Sequence, residues 1–256
     1  MTGQALERKS WAAFVFGLAT VAAVTLTVEL LIRIGAINRF IVPLPSQVFA
    51  SLDRMIAEEQ LLERFLLTSK ECLYAALLVA IVGISLGALL HSMQLLRRAC
   101  ESWVGALAAA PIVLMYPLFL VIFGRSSATI VMMGFLAGLP PVILKTIEGL
   151  AGTPPVLVAV GKSFKLTRGQ LFWKILFPAA LPTIFVGVRL GLIFALINIV
   201  GVEYLINFGG LGQLINDLAE RYDLPGTYAT ILFVVLVSVL FFFVTERIER
   251  WLRATS

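Results

Sequence analysis

The chain has 256 residues and a mass of 27.9 kDa, with 60% hydrophobic residues, only 14% charged, and a mean hydropathy of +0.98. A soluble domain is roughly 45–50% apolar and about 25% charged, so a water-soluble globule of this size could not hide so much apolar surface, and disorder is excluded by the same composition. The net charge of +5 is read as basic residues gathered on one membrane face, with no call for a nucleic-acid partner.

A bilayer core of about 30 Å takes roughly 20 mostly apolar helical residues. Six segments qualify, at about 11–35, 69–93, 103–123, 128–146, 179–206 and 228–246. The expected fold is therefore all-α: one polytopic transmembrane domain over 1–256, with an anchor helix at 11–35 and core spans over 69–246. The first segment is longer than the h-region of a cleaved signal peptide and has no small-residue cleavage site, so it is expected to remain as an anchor. Between 45 and 64, Val48, Phe49, Leu52, Met55 and Ile56 recur at helical spacing opposite Asp53, Arg54, Glu58 and Glu59. That pattern predicts an amphipathic helix at the membrane surface with Ser46 as its cap.

Basic residues orient the bundle. With both termini inside, the cytoplasmic pieces hold Arg8, Lys9, Arg97, Arg98, Lys145, Lys162, Lys165, Arg168, Lys174, Arg247, Arg250 and Arg253. The outer pieces hold Arg39, Arg54, Arg64, Lys70, Arg125 and Arg221, half as many. This favours cytoplasmic N- and C-termini and an even number of spans.

The stretch over 148–178 is the longest cytoplasmic insertion. Pro154 and Pro155 break the preceding helix, and Thr153 is a candidate cap for a new short one. From Val156 to Phe164 one side is apolar, while Lys162 and Lys165 stand on the other. Thr167, Arg168 and Gly169 make a turn, a second short helix follows, and Pro178 and Pro182 bracket the start of the fifth span. A short helix held out of the membrane by prolines is something a partner protein can grip, and its motion passes directly to the adjoining spans. Gly161-Lys162-Ser163 reads like the tail of a phosphate-binding loop, but Val156 stands where the first glycine belongs and no strand precedes it. Energy from nucleotide must come from another polypeptide.

Several pieces carry a family resemblance. Phe177-Pro178-Ala179-Ala180-Leu181-Pro182, Gly187-Val188-Arg189-Leu190-Gly191, Val42 to Val48, Pro117-Leu118 through Phe123-Gly124, and Ile206 to Leu214 resemble the membrane-spanning permeases of bacterial ATP-binding-cassette importers, in the nitrate, sulfonate and taurine branch. The resemblance covers about residues 40–250. It implies a dimeric pathway, homodimeric or heterodimeric, set in the lipid bilayer of the inner membrane. It also implies two ATPase subunits that bind ATP and Mg and grip the cytoplasmic loop, and a periplasmic or lipid-anchored binding protein that delivers a small anion such as a sulfonate or nitrate. This chain itself would then carry no cofactor. Ala159, Val160, Gly161, Lys162, Ser163, Phe164, Lys165, Leu166, Thr167 and Arg168 become the expected coupling loop, with Lys162 to Leu166 at its tip. The family's E-A-A falls on Ala159, Val160 and Gly161, and its glycine on Lys165, so this chain lacks both the acid and the glycine. An ion-coupled secondary transporter is the alternative, though no repeat links the two halves.

Polar groups inside the spans are functional candidates. Arg189 is expected to make a structural pairing. Asn198 and Glu203 are expected on the pathway, together with Met115 and Tyr116, which sit between Pro111 and Pro117 in a span those prolines must kink. His91, near the inner end of the second span, reads as a boundary residue. Cys72 and Cys100 read as buried thiols, and no catalytic or metal-ligating arrangement stands out.

Overall fold

The computed structural model describes the backbone from Thr2 to Thr255 and the side chains of residues 15–250. The Arg8, Lys9 and Arg253 side chains, part of the charge count above, lie outside the described residues. Among the described residues the chain is helical with no strand. Its long helices are α1 (Thr2–Arg33), α3 (Leu61–Ser92), α6 (Ser127–Ala151), α9 (Phe177–Ile206) and α11 (Leu224–Thr255), with α2 (Pro45–Ala57), α4 (Gln94–Ala109), α5 (Tyr116–Phe123), α7 (Pro155–Ser163), α8 (Arg168–Leu171) and α10 (Gly210–Glu220) between them. Five stretches are long and apolar enough to cross a membrane, and a sixth if α4 and residues 112–123 are one bent span. That bend is 90°. It follows from Pro111, which forces Ala110 into an extended conformation (ψ 138°) and ends α4. A single 3₁₀ turn over Ile112–Met115 then leads into α5, which carries Pro117 in its first turn.

Two compact units divide the chain. One comprises Met1–Leu61 with Asp217–Phe233. Within it the Glu29 carboxylate on α1 accepts hydrogen bonds from Arg33, from the Ser46 backbone N–H (3.0 Å) and from the Ser46 hydroxyl (2.9 Å). Ser46 is therefore not the cap of α2. Pro45 takes the first helical position, Leu44 precedes it as a cap without a side-chain bond, and the serine joins α2 to α1 instead. Arg54 of α2 pairs with Asp223, and Arg221 with Glu59.

The second unit, Leu62–Asn216 with Val234–Ser256, is built around α6. Half of the most apolar window of α6 is buried, against 6% for α1. Lipid tails are as apolar as leucine, so helices in a bilayer associate through close packing of small residues. A Cβ on Gly138 of α6 would stand 2.6 Å from the Gly191 carbonyl oxygen of α9, and a Cβ on Gly191 equally close to the Gly138 oxygen, so the two backbones touch only because both are glycine. Ala75, Ile130, Met133, Ala195 and Ile199 fill the core on one side of this crossing, and Leu150, Ala180 and Ile184 fill it on the other.

Candidate functional site

The loop after α6 is built by prolines and caps. Gly152 closes α6 by donating its N–H to the Glu148 carbonyl (2.8 Å). Because Pro155 occupies the first position of α7, the cap position falls on Pro154, and Thr153 lies one residue too early to cap the helix; its buried hydroxyl makes no hydrogen bond. The C-terminus of α7 is closed by a double turn: Lys165 N–H donates to the Lys162 carbonyl (2.9 Å) and Leu166 N–H to the Gly161 carbonyl (3.1 Å). Lys165 supplies the left-handed residue this turn needs, with φ +52°. The turn for which the family pattern uses glycine is thus made here by a lysine. Thr167 then starts α8 with a capping box, its hydroxyl accepting from Gln170 N–H while the Gln170 side chain accepts from the Thr167 N–H. A single π turn, Phe172–Leu176, leads into α9, and Phe172, Trp173 and Phe177 cluster there in edge-on and tilted contacts with ring centroids 5.1–5.9 Å apart.

One face of α7 is anchored and the other is open. Gly161 is buried, and a Cβ there would meet Leu171 and Ile175 at 2.5 and 2.6 Å. Val156, Val160 and Phe164 recur at i, i+4 and i+8 on the open side; Phe164 is 76% exposed and Val156 71%. Of the ten expected coupling residues only Gly161 is buried and Leu166 half-buried, while Ala159, Lys162, Ser163, Lys165, Thr167 and Arg168 are exposed with Val160 and Phe164.

The four expected pathway residues separate. Asn198 lines a cavity of about 460 Å³ between the Ala108–Val113 break and α9, together with Phe194, Ile197 and Gly201. Its side-chain amide donates to the Phe194 carbonyl (3.0 Å). Met115 is exposed just past the break, whereas Tyr116 packs against the core of α3, α6 and α9. Glu203 is fully buried away from that cavity lining. Its carboxylate accepts from the Thr68 hydroxyl (2.7 Å) and from Gly212 N–H (2.8 Å) at the start of α10. Arg189 pairs with Glu249 of α11 at 2.7 Å and lies 5.4 Å over the Phe242 ring. His91, half-buried, lines a cavity under α7 with Thr153, Val158 and Leu176.

Thr68, Glu71 and Glu249 were missed by sequence reasoning. Glu71 falls inside an apolar run and could have been noticed as an intramembrane acid. Thr68 and Glu249 sit at the edges of their runs, where nothing local distinguishes them. Among the described residues no three of His, Cys, Asp and Glu are grouped as metal ligands would be.

An interrupted span, a glycine-packed helix pair and a proline-bounded helix with an open apolar stripe are thus combined in one helical membrane chain. Residues 79–254 match the family described as binding-protein-dependent transport system inner membrane component. The chain belongs to that family. Among relatives of this inner-membrane component, the nitrate import permease protein NrtB of Synechocystis sp. is 29% identical over 161 residues, 63% of this chain and 58% of the relative. The putative aliphatic sulfonates transport permease protein SsuC of Bacillus subtilis is 24% identical over 81% of this chain and 75% of its own length. The chain therefore spans less than two thirds of the nitrate permease it matches. Its fold is similar to that of the MetNI methionine ABC transporter in an inward-facing conformation, with a TM-score of 0.66 at 20% identity over 75% of this chain and 95% of the other.

Proposed function

We propose that this chain is the membrane-spanning permease subunit of an ATP-driven importer, coupled to separate ATPase subunits through α7. The observation that carries the reading is the open stripe of Val156, Val160 and Phe164 on a helix bounded by Pro154 and Pro155 and closed by the Lys165 turn. An exposed apolar stripe on a short, stiffly held helix fits a partner's groove, and the aromatic cluster behind it passes any displacement to α9. Two copies form the pathway, with the Asn198 cavity beside the interrupted span as its lining. The termini and the 148–178 loop face the cytoplasm, where the loop lysines and Arg168 add a basic rim to the docking surface. ATP and Mg bind only the partner ATPases. To shift the permease from 1:99 to 99:1 between inward- and outward-open states, the ATP-bound ATPase dimer must favour one state by about 5.5 kcal/mol.

A separate binding protein delivers the solute. The names of the relatives, nitrate and aliphatic sulfonate permeases, support a small anion as that solute.

The test is co-purification with the partner ATPase and the ATPase rate of the assembled complex. Phe164→Asp with Lys165→Asp, which places two acids on the open face, is expected to abolish both association and coupled ATP hydrolysis while leaving the membrane fraction of the chain unchanged. Unaltered association and hydrolysis, or uptake driven by an ion gradient without any ATPase, overturns the reading.

A further inference from the structure

Two glutamates of the second unit are buried side by side. Glu71 on α3 is 1% exposed and Glu203 on α9 is 0% exposed. Glu203 is held by Gly212 N–H on one oxygen and by the Thr68 hydroxyl on the other, and Thr68 in turn accepts from Leu211 N–H (2.9 Å). The second and third N–H groups of α10 are thereby satisfied by side chains from two other helices, and Gly210 leaves the room: a Cβ there would run into the Glu203 carboxylate. This is an N-cap delivered from outside the helix, and the positive end of α10 favours a charged carboxylate at that place.

Glu71 stands beside Glu203 and the Ser127 hydroxyl, and no backbone N–H reaches either of its oxygens. The groups facing the pair are the Cys72 thiol of α3, the Ser127 hydroxyl of α6 and the backbone N–H groups of α10. Among the described residues neither carboxylate has a cationic partner. Two adjacent buried carboxylates without a cation cannot both be ionised, because each uncompensated charge costs several kcal/mol and the two repel. Glu203, with two donors and a helix N-terminus, is the better place for the charge. Glu71, with only the Ser127 hydroxyl beside it and no helix N-terminus, is the better place for the proton.

We infer that Glu71 and Glu203 share a single proton, and that this acid–carboxylate pair is the positioning device that keeps the N-terminus of α10 docked on α3 and α9. The Glu71 hydroxyl donates toward Glu203, completing the set of donors around the charged oxygens. Gaining a second proton removes the charge that caps α10, and losing the only proton sets two charges against each other, so docking holds between these limits. Only the consequence for transport rests on the permease reading: the helix that carries Glu203 also carries Asn198 and Gly201 in the cavity lining.

Infrared spectroscopy and hydrogen exchange on the purified chain test this, and neither needs an ATPase or a substrate. A buried carboxylic-acid C=O band is expected at neutral pH, lost in Glu71→Gln and insensitive to added sodium. Amide exchange over 208–216 is expected to rise about tenfold or more in Glu203→Gln, which loses the capping charge. In Glu71→Gln, which keeps a neutral donor, it is expected to stay within about twofold of wild type. Absence of the band, its survival in Glu71→Gln, its loss on adding sodium, or equal exchange in all three proteins overturns the inference.

Discussion

Lys165 carries a left-handed backbone, a conformation that costs an L-residue with a side chain roughly 1–2 kcal/mol and glycine almost nothing. Lys165→Gly is therefore expected to stabilise the end of α7 by up to about 1 kcal/mol, part of the gain being cancelled by the freer unfolded chain. Slower proteolysis of the 152–176 loop would register it; faster cleavage would contradict it. The Arg189–Glu249 pair obeys different arithmetic. Both groups are largely withdrawn from solvent, with side-chain exposures of 17% and 9%. Arg189→Ala leaves the Glu249 charge without its guanidinium and is expected to cost about 3–5 kcal/mol, whereas replacing both residues by apolar ones, Arg189→Met with Glu249→Leu, is expected to come close to neutral. Thermal unfolding of the two variants in detergent compares them directly.

At the scale of elements, the crossing of α6 and α9 depends on hydrogen-sized side chains. A methyl on Gly138 would stand 2.6 Å from a backbone oxygen, which cannot swing aside as a flexible side chain would. Gly138→Ala is expected to force the helices apart and cost about 1–3 kcal/mol, seen as a lower melting temperature of the solubilised chain. Gly105→Ala, with nothing within 4 Å of its new methyl, is the matched control and should gain slightly from helix propensity. The α7 unit is organised in the opposite way, with rigid punctuation and an open face. Pro154, Pro155, the Lys165 turn and the Thr167 box fix its ends through local hydrogen bonds. Such a unit moves as one piece, which suits a lever better than a hinge.

At the scale of the whole molecule, counting the bent α4–α5 pair as one span gives six crossings, and an even number returns both termini to one side. On the proposed reading that side is the cytoplasm, the face favoured by the basic residues between Lys145 and Lys174 and in the tail after Glu246. An alkaline phosphatase fusion at Gln60, in the turn between α2 and α3, is expected to be active, and one at Gly169 inactive. The reverse pattern would invert the topology and remove α7 from the reach of any cytoplasmic ATPase.

The class of the chain, the positions of its spans, the break near Pro111 and the stiff punctuation of the 148–178 loop were all legible in the sequence, because hydropathy and proline act within a turn or two of where they stand. The two expected caps, Ser46 and Thr153, failed for an equally local reason: Pro45 and Pro155 took the first helical positions, so the caps fell on the residues just before them, Leu44 and Pro154. The helix α10 was not anticipated, since two of its first N–H groups are satisfied by Thr68 and Glu203 of other helices. The partners of Arg189 and Glu203, the burial of Glu71 and the glycine crossing were decided only by the tertiary structure. Each joins residues far apart in the chain, and in a uniformly apolar sequence nothing local records which faces meet.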